Sequence, residues 1–272
     1  MTLFAWQKPY EIQWAEEDNV LYVRSGRGNK QFWIPPFARK DGSFVKGVLR
    51  MHEWFEEHNH PFLMKGVTPA AVERIKLFVK TVNDFTPDRD NVRIRILDPE
   101  PDQLNPVKIT VRRKINLNHF RNQYIGNWEY VPITEDIFDE CLEAEKTWYN
   151  QHEDGDDDNE LLGERHAIET VFNNWSVLQP TGGAIRMYNK IVAFSIGEML
   201  NDDTAIIHFE KSDPTIRGLY QAINHEFVVH AWGHTTYINR EEDMGIPGLR
   251  HSKESYNPDH FVEKYDVTLR QK

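Results

Sequence analysis

The densest chemistry in the chain lies in HFEKSDPTIRG, residues 208–218. On a strand, His208 and Glu210 fall two apart and share a face, with Phe209 on the other. That pair could supply a base for an incoming nucleophile. Asp213-Pro214 reads as a helix start with Arg217 in its first turn, and the free N–H groups of such a start draw anions. Lys211 and Arg217 would neutralise a phosphate or a developing oxyanion. Acyl transfer needs this combination of base and anion site, although a plain His–Glu contact beside a helix cap uses the same residues.

Two other segments are rich in functional groups. KITVRRKINLNHFR (108–121) carries Lys108, Arg112, Arg113, Lys114 and Arg121 without an acid. Arginine meets phosphate oxygens with paired N–H donors, so the cluster, with Asn118 beside it, suits a nucleotide, a tRNA backbone or a lipid head group; a strand edge or helix face kept soluble by charge is the alternative. YINREEDMGIPGLRHSKESY (237–256) alternates Asn239, Glu241 and Asp243 and adds Arg240, Arg250 and Lys253. Gly245, Pro247 and Gly248 give this loop a defined path, and a long ordered loop after a strand is a common seat of function.

Metal motifs fail on spacing. In EDGDDDNE, Asp154, Asp156 and Asp158 begin like a calcium loop, but position six is Asn159 where a glycine turns the chain, and position twelve is Arg165 where a bidentate glutamate is needed. In HEFVVHAWGH, His225 and His230 stand five apart and diverge by about 140° on a helix, and Gly233 interrupts the pair His230 and His234. No metal site is expected.

These groups need a scaffold. Residues 11–37 read as strands with turns at Asp18-Asn19 and at 26–29, followed by helical spacing at Val48, Met51 and Phe55. Thr68-Pro69 opens a further helix, TPDRDN reads as a turn, and VRIRILD alternates like a strand. The proline-rich acidic segment 98–106 is the best internal boundary. Beyond it, Thr134 caps a helix buried through Ile137, Cys141, Leu142 and Trp148, and Ile168, Val171, Phe172 and Trp175 mark another. Gly182-Gly183 then opens a three-stranded meander with turns at Asn189-Lys190 and 201–203. A helix from Asp213-Pro214 to Gly233 and the strand TTYIN follow. The interleaving of strands and helices predicts mixed α/β (α+β) architecture, split into residues 1–104 and 105–272.

Composition narrows the partners. Forty-three acidic residues against 32 basic ones give a formal net charge of −11, which argues against DNA binding and against a polybasic membrane-surface protein. A hydrophobic share of 39 % with eight tryptophans supports a folded core. One cysteine, no secretory leader and no run approaching ~18 apolar residues point to a cytoplasmic protein without a transmembrane segment.

The strings KIVAFSIGEMLNDDTAIIHFEKSDPTIRGLYQAINHEF and YINREEDMGIPGLRHSKESYNP closely resemble the phosphatidylglycerol lysyltransferase C-terminal-domain family, in its stand-alone branch. The resemblance spans most of the chain and implies tandem GNAT-like acyltransferase folds, each a mixed sheet flanked by helices, with the first starting partway through its strand-helix region. It implies transfer of an aminoacyl group from aminoacyl-tRNA to a hydroxyl or amine, and no cofactor is assigned beyond the donor substrate, aminoacyl-tRNA or acyl-CoA. His208 and Glu210 would be catalytic. Lys211, Asp213, Arg217, Tyr220, Asn224, Asn239, Arg240, Glu241, Asp243, Arg250, Lys253 and Tyr256 would line the cleft. Arg112, Arg113, Lys114 and Asn118 would meet tRNA or another phosphate-bearing partner. Where family members carry Lys-Arg-Asn-His, this chain has Arg113-Lys114-Ile115-Asn116, and Glu254 replaces the usual aliphatic residue. Acyl-CoA is the alternative donor, but of its glycine-rich pyrophosphate turn only Arg217-Gly218 is present. A non-catalytic binder of nucleotides or phospholipid head groups is the other reading.

Overall fold

The computed structural model describes residues 1–26, 30–78, 82–95, 111–151, 158–242 and 246–269. In chain order the elements are α1 (Thr2–Ala5), β1 (Gln13–Glu17), β2 (Val20–Ser25), β3 (Phe32–Trp33), β4 (Phe37–Ala38), α2 (Asp41–Glu57), β5 (Leu63–Val67), α3 (Pro69–Phe78) and β6 (Val82–Arg95). They continue with α4 (Val111–Gln123), β7 (Trp128–Pro132), α5 (Phe138–Asn150), α6 (Asp158–Asn173), α7 (Trp175–Leu178), β8 (Thr181–Met187), β9 (Lys190–Met199), β10 (Thr204–Ser212), α8 (Leu219–Ala231), β11 (Tyr237–Asn239), α9 (Pro247–Glu254) and β12 (His260–Leu269). Two compact units emerge: an N-terminal unit of residues 6–90 with 262–272, and a C-terminal unit of residues 1–5 with 91–261. The boundary expected at 104/105 lies outside the described residues.

In the N-terminal unit the strand order is β1-β2-β3-β5-β12, with β4 also on β2. Asp18 and Asn19 turn the β1–β2 hairpin with φ of 52° and 60°, the left-handed pair that suits the strand twist. On α2, Phe44, Val48, Met51 and Phe55 recur at helical spacing and are buried, together with Val20 and Met64 of the sheet. Thr68 accepts the N–H of Ala71 at 3.3 Å, as a cap for α3 should. β12, missed in the sequence although FVEKYDV alternates, pairs antiparallel with β5.

In the C-terminal unit the order is β6-β11-β10-β9-β8-β7, antiparallel except where β11 runs parallel to β10. Leu219, Ala222 and Ile223 of α8 pack with Ile185 of β8, Ala193 of β9 and Phe120 of α4. Gly183 is required on β8, because a Cβ there would lie 2.2 Å from the Tyr130 hydroxyl. Both units are thus mixed sheets flanked by helices, the mixed α/β architecture expected.

Several local expectations shift. TPDRDN lies inside β6 rather than in a turn, since pairing within a sheet overrides local turn propensity. The β8–β9 turn residues are Tyr188 and Asn189, both with positive φ, one position earlier than expected. Thr134 donates to the Asp136 carboxylate and precedes a short 3-10 turn, so α5 begins only at Phe138. Asp213 does not begin α8. Its carboxylate accepts the N–H and hydroxyl of Thr215 in a local turn, and the helix starts at Leu219 after Gly218. Finally, part of the loop 237–256 is the helix α9, with Pro247 in its first turn.

Candidate active site

The centre of the C-terminal unit is β10, and its register explains the site. Ala205, Ile206 and Ile207 pair with Met199, Glu198 and Gly197, but Phe209 pairs with Ile196, so His208 is an extra residue in a β-bulge. A bulge reverses the alternation of everything beyond it. Before it, Ala205 and Ile207 pack with Phe227 and Val228 of α8, which leaves Ile206 and its partner Glu198 facing away from α8. His208 joins Glu198 on that far side, whereas Glu210 turns toward Asn224 of α8. The shared face expected for His208 and Glu210 is therefore corrected: they sit in two networks on opposite sides of β10.

The His208 network is closed. Its Nε2 lies 2.9 Å from Glu198 Oε1 and its Nδ1 2.5 Å from Glu241 Oε1, with the Thr2 hydroxyl also 3.2 Å from Nδ1. The α-amino group of Met1 donates to the same Glu198 oxygen at 3.0 Å. The imidazole is only 3 % exposed. Burial disfavours its charge, but the hydrogen bonds to Glu198 and Glu241 outweigh that cost and raise its pKa to about 9. The His208 bond in turn holds the Glu198 carboxyl below its ordinary range. At neutral pH His208 is an imidazolium with both N–H groups engaged, and it has no lone pair with which to take a proton.

The Glu210 network is open. Arg240 Nη2 donates to Glu210 Oε1 at 2.6 Å, and Asn224 Nδ2 donates to Oε2 at 2.8 Å. The Arg240 and Glu210 side chains are 12 % and 9 % exposed. The guanidinium lies 4.7 Å from the centre of the Tyr256 ring. Burial works against the Arg240 charge, and Glu210 and Tyr256 restore it, raising the pKa. Its second nitrogen, Nη1, is buried and has no hydrogen-bond partner among the described residues. Asn239 sets the positions of both networks: its side-chain oxygen accepts the N–H of Glu241 at 2.8 Å, and Glu241 adopts φ 57°. Adjacent residues Arg240 and Glu241 thereby reach opposite sides of the strand.

The remaining candidates divide among three places. Lys211 donates to Glu164 of α6 at 2.7 Å and lies 3.4 Å from the Trp148 ring centre on α5. The Trp148 indole N–H donates to the Tyr220 hydroxyl at 3.1 Å, and burial pushes that phenol to about 12. Arg217 turns to α4, where Nε and Nη2 both lie 3.3 Å from Asn116 Oδ1. Gly218, φ 87°, packs against the same residue, since a Cβ would meet the Asn116 carbonyl oxygen at 2.2 Å. Lys114 and Asn118 are exposed on α4, and Arg250 is exposed on α9. Lys253 donates to the carbonyl of Glu242. Asp243 lies outside the described residues, as do the side chains of Arg112 and Arg113 and most of the acidic loop at 153–160.

Several participants are not among the site residues expected from sequence: Glu198, Glu164, Trp148 and the pairing of Arg121 with Glu226. Arg121, counted with the basic stretch, donates to Glu226 of α8 at 2.6 Å and lies 3.2 Å from His225 Nδ1. Burial raises the Glu226 pKa, but bonds with His225 and Arg121 outweigh it and bring the carboxyl down to about 2. His230 stacks on Tyr130 with ring centres 4.4 Å apart.

Mixed sheets flanked by helices, with buried charge gathered at a bulge in the central strand of one of them, define an α/β fold. More specifically, residues 1–268 match the family described as phosphatidylglycerol lysyltransferase, C-terminal, and the chain belongs to that family. A conserved protein of unknown function from Bacteroides thetaiotaomicron VPI-5482 is similar in structure, with TM-score 0.84 and 32 % identity over 98 % of this chain and 89 % of that one. The structure of L-PGS from Bacillus licheniformis shares the fold at TM-score 0.65 and 13 % identity, covering 100 % of this chain and 92 % of that one. In sequence, the uncharacterized protein MYCGA3080 of Mycoplasmoides gallisepticum is 23 % identical over 219 residues, or 80 % of this chain; the match spans 61 % of that relative's length. Among the described residues no helix is long and apolar enough to cross a membrane.

Proposed function

We propose that this chain transfers an aminoacyl group from aminoacyl-tRNA to a hydroxyl or amine acceptor, with the Glu210–Arg240 network as the reacting site. The observation that carries this reading is Arg240 Nη1, a buried cationic donor whose neighbouring nitrogen is fixed on Glu210 and which has no hydrogen-bond partner among the described residues. An oriented donor of this kind stabilises an ester carbonyl oxygen as it takes on negative charge. Each Glu210 oxygen keeps a second lone pair beside the bond it accepts, so Glu210 can receive the acceptor's proton. In the reaction the acceptor oxygen or nitrogen bonds to the carbonyl carbon while its proton passes to Glu210. The ester C–O bond then breaks, and the proton is returned to the departing ribose oxygen. His208, closed by two carboxylates, holds the Glu241 end of the loop in place.

The donor preference follows from Arg217 and Gly218. These are the two residues that answer to an acyl-CoA pyrophosphate turn, and both are committed to Asn116 of α4. Family membership supports an aminoacyl ester on the same grounds.

The test is transfer of label from radioactive aminoacyl-tRNA, with acetyl-CoA run in parallel, to a panel of lipid, amine and peptide acceptors. The expected result is loss of charged tRNA above spontaneous hydrolysis, with label in an acceptor. Transfer from acetyl-CoA alone would overturn the donor. Full activity in Glu210→Gln would overturn the assignment of the proton to Glu210.

A further inference from the structure

The N-terminal unit contains a cavity of about 260 Å³ between the β1–β2–β3 sheet and α2. Its wall is aromatic. Tyr22 and Trp33 meet edge-to-face with ring centres 6.0 Å apart, and Trp33 and Trp54 lie 5.4 Å apart. The two arginines on the lining differ in state. Arg50 faces Glu17 at 3.4 Å, Glu57 at 3.6 Å and Glu53 at 3.7 Å, so its charge is met within the unit. Arg24 lies 4.4 Å from the centre of the Trp54 ring, donates to the Gln13 side-chain oxygen, and has no carboxylate partner among the described residues. Partial burial lowers its pKa from the ordinary arginine value, the response of a cation without a counter-charge.

The hydrogen-bond balance of the cavity is equally one-sided. The indole N–H of Trp33 is buried without a hydrogen-bond partner among the described residues. Among the described residues the Tyr22 hydroxyl makes no hydrogen bond either. Of the side-chain acceptors on the lining, the Gln13 oxygen meets Arg24 and the Glu17 carboxylate faces Arg50. Arg24 is thus a cation on the lining whose charge is unmatched among the described residues, and a ligand with an anionic acceptor complements it.

We propose that this cavity binds a small flat ring bearing an anionic oxygen group, a nucleoside monophosphate or an aryl carboxylate, with the ring against Tyr22 and Trp33 and the anionic oxygens on Arg24. Stacking on aromatic faces and charge-assisted bonds from a guanidinium are the two interactions such a ligand uses. The volume lies just under the ~300–1,000 Å³ of drug-sized pockets, which limits the ligand to one ring system with its anionic arm. The site belongs to the N-terminal unit and does not depend on the transfer reaction.

Calorimetric titration of the full chain separates the alternatives. AMP and UMP form the phosphate arm, indole-3-acetate and benzoate the carboxylate arm, and adenosine and inorganic phosphate serve as half-ligands. At least one ring anion should bind with a sub-millimolar Kd and both half-ligands about tenfold or more weakly, while Arg24→Gln should weaken binding by about tenfold. Trp33→Phe, which keeps the ring and removes the N–H, should weaken it by roughly threefold to tenfold. If Arg24→Gln fails to fold, the wild type supplies the check: raising salt from about 50 to about 300 mM should weaken binding severalfold. Absence of binding by every ring anion would overturn the proposal, as would binding indifferent to both Arg24 and salt.

Discussion

On one side of β10, His208 gives both ring nitrogens to Glu198 and Glu241; on the other, Arg240 gives one nitrogen to Glu210, and its Nη1 has no hydrogen-bond partner among the described residues. Both networks are buried, both pair a cation with carboxylates, and both are anchored by the turn at Asn239. They differ in completeness. A closed set of charges offsets its own desolvation and has nothing left to offer a ligand, so its effect is felt in folding. An uncommitted buried donor costs the folded state about 1–3 kcal/mol and persists where a ligand or transition state completes it. The single residue inserted at the bulge produces this division, because without it His208 and Glu210 would crowd the same face.

The comparison breaks first at Arg240. Arg240→Lys keeps a positive charge opposite Glu210 and deletes the spare donor of the fork. Aminoacyl transfer should fall by roughly 10²–10³-fold, as when one preorganised oxyanion donor is removed. The thermal midpoint should move far less than the rate. Initial rates with charged tRNA decide this, and an unchanged rate would show that the open side of β10 is not where chemistry occurs.

The closed side is examined through pH. The His208 pKa is about 9 in the folded chain against 6.5 for an unperturbed histidine, so the network's contribution is complete below about 6.5 and is lost as pH rises through 9. Urea midpoints at pH 7 and pH 10 should show the wild type losing on the order of 2 kcal/mol more than His208→Gln. Transfer at pH 7 in that variant should stay within about threefold of wild type. A drop comparable to that of Arg240→Lys would make His208 part of the reaction.

How much of this could be read from residues alone depended on the range of the interaction. The core stripe Phe44, Val48, Met51 and Phe55 and the Asp18-Asn19 turn are short-range features, and the structure has both. The cluster Glu210, Asn224, Arg240 and Tyr256 was also within reach, since a strand, a helix and a following loop supply these groups in order. The bulge was not. Nothing in HFEK indicates that His208 is unpaired, because the signal lies in the register against β9. Glu198, the cross-strand neighbour of Ile206, was invisible for the same reason. The late start of α8 has a different cause: Asp213 satisfied a local turn with Thr215 rather than a helix end, and the two uses of an aspartate look alike in sequence.

A third buried pair extends the closed pattern beyond β10. Glu226, at about pKa 2, is held by Arg121 and His225, and its contribution is present above about 4.5 and lost as pH falls through 2. Arg121→Met leaves that carboxylate without its guanidinium. With Arg121 about a quarter exposed at 26 %, solvent screens part of the loss, and about 1–2 kcal/mol is expected at neutral pH. The acid unfolding midpoint should move to higher pH, and circular dichroism titration of both chains measures it. No such movement would mean that His225 alone sustains the carboxylate.

Arg217 gives the smallest effect and the sharpest discrimination. It is an exposed cation next to the start of α8, where an acyl-CoA pyrophosphate would rest, yet its Nε and Nη2 are directed to Asn116. If that contact is all it does, Arg217→Ala should change stability by no more than about 0.5 kcal/mol and leave transfer within about twofold. If instead the donor's phosphates lie at the helix start, the same substitution should raise KM by tenfold or more with little change in kcat, the mark of a lost binding contact. The two outcomes place the donor's phosphates against different residues. A steep rise in KM would move the anion site from Arg240 to the α8 N-terminus and restore acyl-CoA as the donor to test first.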